Sequence, residues 1–193
     1  MLPRKLPEDH LSIFRWEAFR RLPYDARGFI ILVHEGVKPA ANFEVEEELE
    51  GSVVALLRLL RISCARGAHD RGHVKGVSFF IARGWLRARR MKKLDSRFSK
   101  LKAEDAFFYE AGRICGVPTC CVRSFVQARR DQHPRSAGGR CPDEFRYLYY
   151  TPCSESCSES EELGRRIGIV LEGLDPGAAA KWREDPPVER IFA

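Results

Sequence analysis

Two short stretches well apart in the chain hold four of its seven cysteines: Cys120-Cys121, and Cys153-Ser154-Glu155-Ser156-Cys157. Only a non-local pairing of these stretches gives the thiols a shared purpose, so they constrain the fold more than any other feature. A metal site needs several deprotonated soft ligands drawn from two segments of chain, and two cysteine pairs supply four. The predicted ligands are Cys120, Cys121, Cys153 and Cys157, with His133 and Cys141, which lie between the pairs, as substitutes for any one of them. Pro118 suits the first turn of a helix. That places Cys120 and Cys121 at a helix N-terminus, where free amides and the dipole favour a thiolate.

Neither group has the Cys-x2-Cys knuckle common in structural zinc sites. Neighbouring residues on a helix point about 100° apart, so Cys120 and Cys121 meet one ion only if the helix start is distorted. Cys121 also falls with Val117 and Phe125 on one i, i+4 face. On that alternative it is a small buried hydrophobe and only Cys120 is functional. Zinc stands slightly ahead of an iron–sulfur cluster, which thiolates hold across varied spacings. The Cys153-x3-Cys157 spacing resembles the opening of the Cys-x3-Cys-x2-Cys loop of radical enzymes using S-adenosylmethionine, but Ser160 occupies the third position. A thiol-dependent enzyme with Cys120 as nucleophile is a further reading, although no histidine base is fixed near it by sequence.

The segment Gly116-Val117-Pro118-Thr119-Cys120-Cys121-Val122, followed by Pro152-Cys153-Ser154, resembles an uncharacterised, mainly archaeal family of unknown function. That family carries a Gly-x-Pro-x-Cys-Cys-Val element and a later Pro-Cys-Ser element, and the resemblance covers roughly residues 100 to 170. It implies that the cysteines matter and implies no substrate. Family members often carry a histidine shortly before the second element, where this chain has Tyr149 and Tyr150.

Other features set the background. With 193 residues, 44% of them hydrophobic, the chain can bury one core and is not disordered. Its longest apolar runs, Phe29 to Val33 and Val77 to Ala82, fall far short of a membrane span. Residues 1 to 7 lack the apolar region of a secretory signal, so a cytoplasmic location is expected. Seven cysteines in a reducing compartment are expected as thiols or ligands. However, amides are scarce, with Asn42, Gln127 and Gln132 alone, and 25 Arg stand against 8 Lys. Amide depletion is a habit of thermophilic proteins, some of which keep intracellular disulfides, so that role stays open. No phosphate-binding glycine loop, dinucleotide turn or serine elbow is present. His69 and His73 read as solvated loop histidines.

The periodicity predicts helices over residues 8–21, 44–62, 104–115, 118–130 and from Ser158 or Ser160 to Gly173. Strands are expected over 28–34, 73–82 and 144–150, with a loop from Cys64 to Gly72. The fold class is therefore α/β (α+β): a small sheet flanked by about five helices around a single core spanning residues 1–173, with 174–193 as a loosely packed tail. Between Arg83 and Lys102 nine cations face one acid, Asp95. Such a run either forms a solvated helix face or binds RNA, with Arg87, Arg89, Arg90, Lys92 and Lys93 as the contact residues and Trp85 and Phe98 able to stack on bases. On the RNA reading the cysteines are structural.

Overall fold

A computed structural model describes residues 10–70, 75–97, 104–131 and 143–187 of the chain. In chain order these form α1 (Glu17–Arg20), α2 (Tyr24–His34), β1 (Ala40–Glu46), α3 (Glu50–Leu59), β2 (Ser63–Asp70) and β3 (Lys75–Ala82). They continue with α4 (Trp85–Asp95), α5 (Asp105–Cys115), α6 (Thr119–Arg130), α7 (Ser158–Leu174) and α8 (Pro176–Glu184). Short 3-10 turns cover His10–Arg15, Glu47–Leu49 and Asp143–Tyr147. The three strands make one antiparallel sheet in the order β1-β3-β2, with Phe43 opposite Phe79 and Ala65 opposite Phe80. The result is an α+β fold, as the sequence leads one to expect, but its strands come largely from other segments.

The apolar run Phe29–Val33 is not a strand. It lies inside α2, which starts after Pro23 and is buried from Phe29 through Val33. A short apolar run is compatible with either a buried strand or a helix buried on all sides, and packing settles it. Here α2 is enclosed by β1, α7 and α8, so no polar face is required. The acidic stretch expected to open a helix at residue 44 instead ends β1 and runs on through the Glu47–Leu49 3-10 turn. Phe43 and Val45 are buried while Glu46 is exposed, the period-2 alternation of a half-covered strand. The helix begins only at Glu50. The predicted loop from Cys64 is likewise β2, paired along β3 from Ser63↔Ala82 to Asp70↔Lys75.

Residues 144–150, expected as the third strand, begin with a 3-10 turn whose Phe145 and Tyr147 are buried. The expected first helix divides into the His10–Arg15 turn and α1. The basic run opens with a helix, α4, which ends at Asp95.

The C-terminal stretch also departs from expectation. Asp175 closes α7 and opens α8, accepting a hydrogen bond from the Ala178 amide at 3.0 Å, with Pro176 in the first turn. Its carboxylate meets the Arg27 guanidinium at 3.1 Å in a largely buried ion pair. Beyond it, Trp182 is fully buried, donates its indole N–H to the Tyr147 carbonyl at 3.0 Å and sets its ring edge against Phe29. Gly28 makes room for that ring: a Cβ there would lie 2.1 Å from Trp182. Residues 176–184 thus form a docked helix, and prolines alone had suggested a loose tail.

Candidate metal centre

The centre is built where two helices begin. Helix α5 ends at Gly116, which adopts the left-handed conformation (φ 79°) that glycine tolerates best. The turn is braced from below: the fully buried Lys38 donates from Nζ to the Cys115 carbonyl at 3.1 Å, and the Tyr149 hydroxyl donates to the same oxygen at 2.9 Å. Lys38 Nζ also stands 3.2 Å from the centroid of the Tyr149 ring, a cation–π contact. Val117 and Pro118 then lead into α6, whose first turn carries Cys120 and Cys121. On the other side the Cys153–Cys157 segment turns tightly, with the Cys157 amide donating to the Ser154 carbonyl at 3.3 Å. Cys157 is the N-cap residue of α7.

These two helix starts converge. The Cys120 and Cys121 sulfurs are 3.8 Å apart, and each is 3.7 Å from the Cys157 sulfur. Cys153 completes a set of four in which all sulfurs lie within 4.8 Å of one another. All four are free thiols, at nearly twice the roughly 2.05 Å of a disulfide bond. Cys121 is buried in the core, as a small hydrophobe would be, and its sulfur nonetheless lies within the cluster. The adjacent cysteines come within 3.8 Å of each other in an undistorted opening turn of α6, in which the Val122 amide donates to the Pro118 carbonyl at 3.0 Å.

A polar shell surrounds the sulfurs. The Cys153 amide donates to Cys121 Sγ at 3.3 Å, and the fully buried Ser160 hydroxyl lies 3.2 Å from the same sulfur. Tyr150 reaches Ser160 through its hydroxyl at 3.1 Å. Ser160 is therefore a partner of the site, although not a sulfur ligand. The tyrosine pair that stands where the resemblance puts a histidine serves the site indirectly: Tyr150 through Ser160, Tyr149 through the Cys115 turn. The sequence offered no sign of these roles beyond proximity to the cysteines.

The surroundings shift the cysteine thiols in different directions. Burial is the main cause holding the Cys120 thiol up at about 11, and burial also raises Cys121 despite hydrogen bonds from Ser160 and the Cys153 amide. For Cys157 burial acts upward too, but hydrogen bonding with the Ser160 hydroxyl and amide, and with the Cys153 and Cys120 thiols, lowers it to about 7. Burial thus keeps Cys120 and Cys121 protonated at neutral pH. A metal ion reverses this balance, since a coordinated thiol is deprotonated outright.

His133 and Cys141, the suggested substitute ligands, lie outside the described residues, as do His73, Phe98, Lys100 and Lys102. Arg87, Arg89, Arg90, Lys92 and Lys93 stand together on the exposed side of α4, an element separate from the cysteine cluster. Glu50 pairs with Arg66 at 2.5 Å. Among the described residues no helix is long and apolar enough to cross a membrane. The chain matches no protein-family model, no curated protein and no solved structure.

Proposed function

We propose that the protein binds a single zinc ion through Cys120, Cys121, Cys153 and Cys157, and that this closed tetrathiolate centre is structural, clamping the start of α6 to the start of α7. The sulfur spacing carries the reading. Zinc–sulfur bonds of about 2.3 Å in a tetrahedron place the sulfurs about 3.8 Å apart. Three separations here are 3.7 to 3.8 Å. In a four-iron cluster each thiolate binds a different iron, which spreads the sulfurs further than one ion does, so the geometry favours a mononuclear site over the iron–sulfur alternative. Two helix N-termini add favourable potential for the negative charge. The thiol-enzyme reading is less well supported, because burial moves Cys120 away from the ionised form a nucleophile needs.

Elemental analysis of anaerobically purified protein tests this. The expected result is one zinc per chain with no absorbance near 400 nm. Iron with acid-labile sulfide, or no bound metal, would overturn the assignment. Metal entry must also expel the protons that burial keeps on Cys120 and Cys121 at neutral pH. Zinc affinity should therefore rise with pH, by at least about 100-fold per unit above pH 7 for two released protons. Competition against a chromophoric chelator at pH 7 and 8 measures the slope; an affinity independent of pH is incompatible with thiolate ligation.

A further inference from the structure

We propose that the exposed face of α4 is a binding site for single-stranded nucleic acid, independent of the cysteine centre. The helix is committed to the fold on one side only. Ala88, Met91 and Leu94 are buried, and α4 packs on β2 and β3. The opposite side carries Arg87, Arg89, Arg90, Lys92 and Lys93, all exposed. Together with Arg113 of α5 these line a concavity of about 1010 Å³. Six cations converging on one hollow make a phosphate-binding surface, because each neutralised phosphate releases condensed counterions.

Stability explains the charge placement only in part: Lys92 Nζ donates to the Arg66 carbonyl of β2. Helix N-termini favour anions, yet the first turn of α4 has no acidic residue, no side-chain cap, and Arg87 within it. The acidic run at residues 44–50 does not neutralise the face through Glu50, which pairs with Arg66. Arg90 meets Glu110 of α5 at 3.3 Å, and both partners are substantially exposed. Such a surface pair is weak and open to exchange with a phosphate.

Bases, as well as phosphates, have a platform. Trp85 begins the helix with 51% of its surface exposed, and the Arg89 guanidinium stands 5.8 Å from its ring centroid. An exposed indole beside arginines stacks on an unpaired base while the cations follow the backbone. Base stacking requires a single strand. A membrane surface fits less well, since an interfacial helix inserts its apolar stripe and that of α4 is occupied by the sheet.

Fluorescence anisotropy with labelled 12-mer oligo(U) and oligo(dT), a duplex of equal length, and anionic phosphatidylserine vesicles tests the assignment. Binding to the single strands should fall with salt at about −0.7 log units per log unit of salt for each phosphate neutralised. Replacing Arg89, Arg90, Lys92 and Lys93 with Ala should flatten that slope and weaken binding at least tenfold at low salt. Trp85→Ala should weaken it by about 5- to 150-fold with the slope unchanged, and Trp85→Phe should restore most of it. All substituted residues are exposed, and unchanged circular dichroism confirms that each variant is folded. No binding at low salt, equal affinity for the duplex, vesicle binding without oligonucleotide binding, or indifference to Trp85→Ala would each overturn the proposal. RNA bound more tightly than DNA would make RNA the natural ligand, and equal affinities would mean that the backbone and base faces alone are read. Repeating the titration on chelator-treated protein separates this site from the metal reading, because the two can fail independently.

Discussion

A strong chelator in reducing buffer is expected to lower the melting temperature by about 8 to 16 °C. Zinc held at about a thousand times its dissociation constant contributes about 4 kcal/mol through mass action. A chain of this size shifts about 2 to 4 °C per kcal/mol. The ligands come from positions up to 37 apart, so the unfolded chain does not hold them preassembled, and most of the binding energy counts toward the fold. Replacing ligands should follow burial. Cys121→Ser removes a buried sulfur that receives the Cys153 amide and contacts Ser160, and should lower the melting temperature more than Cys120→Ser at the half-exposed position. Thermal melts followed by circular dichroism, with and without chelator, give both comparisons. A melting temperature indifferent to chelator, in protein shown to contain zinc beforehand, would leave the centre without a structural role.

The second large effect is expected at Trp182. Trp182→Ala removes a fully buried indole together with its hydrogen bond to the Tyr147 carbonyl and its contact with Phe29. Large-to-small changes of this kind cost about 3 to 5 kcal/mol, because the surroundings collapse only in part. Gly28→Ala attacks the same contact from the other side, by placing a Cβ in the space of the ring. Urea unfolding of both variants measures the loss. If residues 174–193 were loosely held, each substitution would change stability by less than about 0.5 kcal/mol, as surface changes do.

The cysteine cluster and the fold were legible to different degrees, for physical reasons. The cysteine centre could be read because soft ligands have few other reasons to cluster, and because Gly116 and Pro118 punctuate the chain ahead of it. The α5–α6 boundary followed from the same residues. The α2 segment could not be read, since five consecutive apolar residues report burial without reporting period. Helix α2 owes its identity to neighbours on all sides, including α8. Strand β1 was hidden in an acidic run in which Glu44 and Glu46 resemble the first turn of a helix, while Phe43 and Val45 carry the competing alternation. Ser160 and Tyr150 gave no signal because a hydrogen bond to a sulfur across the fold leaves no local pattern. In α8 the buried residues are Ala178, Ala179 and Trp182, too few positions to stand out among prolines and charges.

The junction at Asp175 has a bearing on how the chain tolerates change in length. One residue serves as the end of α7 and the start of α8, and its ion pair with Arg27 ties that corner to α2. There is no slack to absorb an added residue. A single insertion after Asp175 that continued the helix would rotate everything beyond it by about 100° about the helix axis. Trp182 would swing away from the gap that Gly28 leaves open, and its charged neighbour Lys181 would face Phe29 instead. Substitutions at the exposed positions of α8 should be absorbed readily, whereas insertions and deletions between residues 175 and 182 should be rejected as a class. The spacing between corner and indole is thus a fixed length in this fold, as binding on the chain as the identity of either residue.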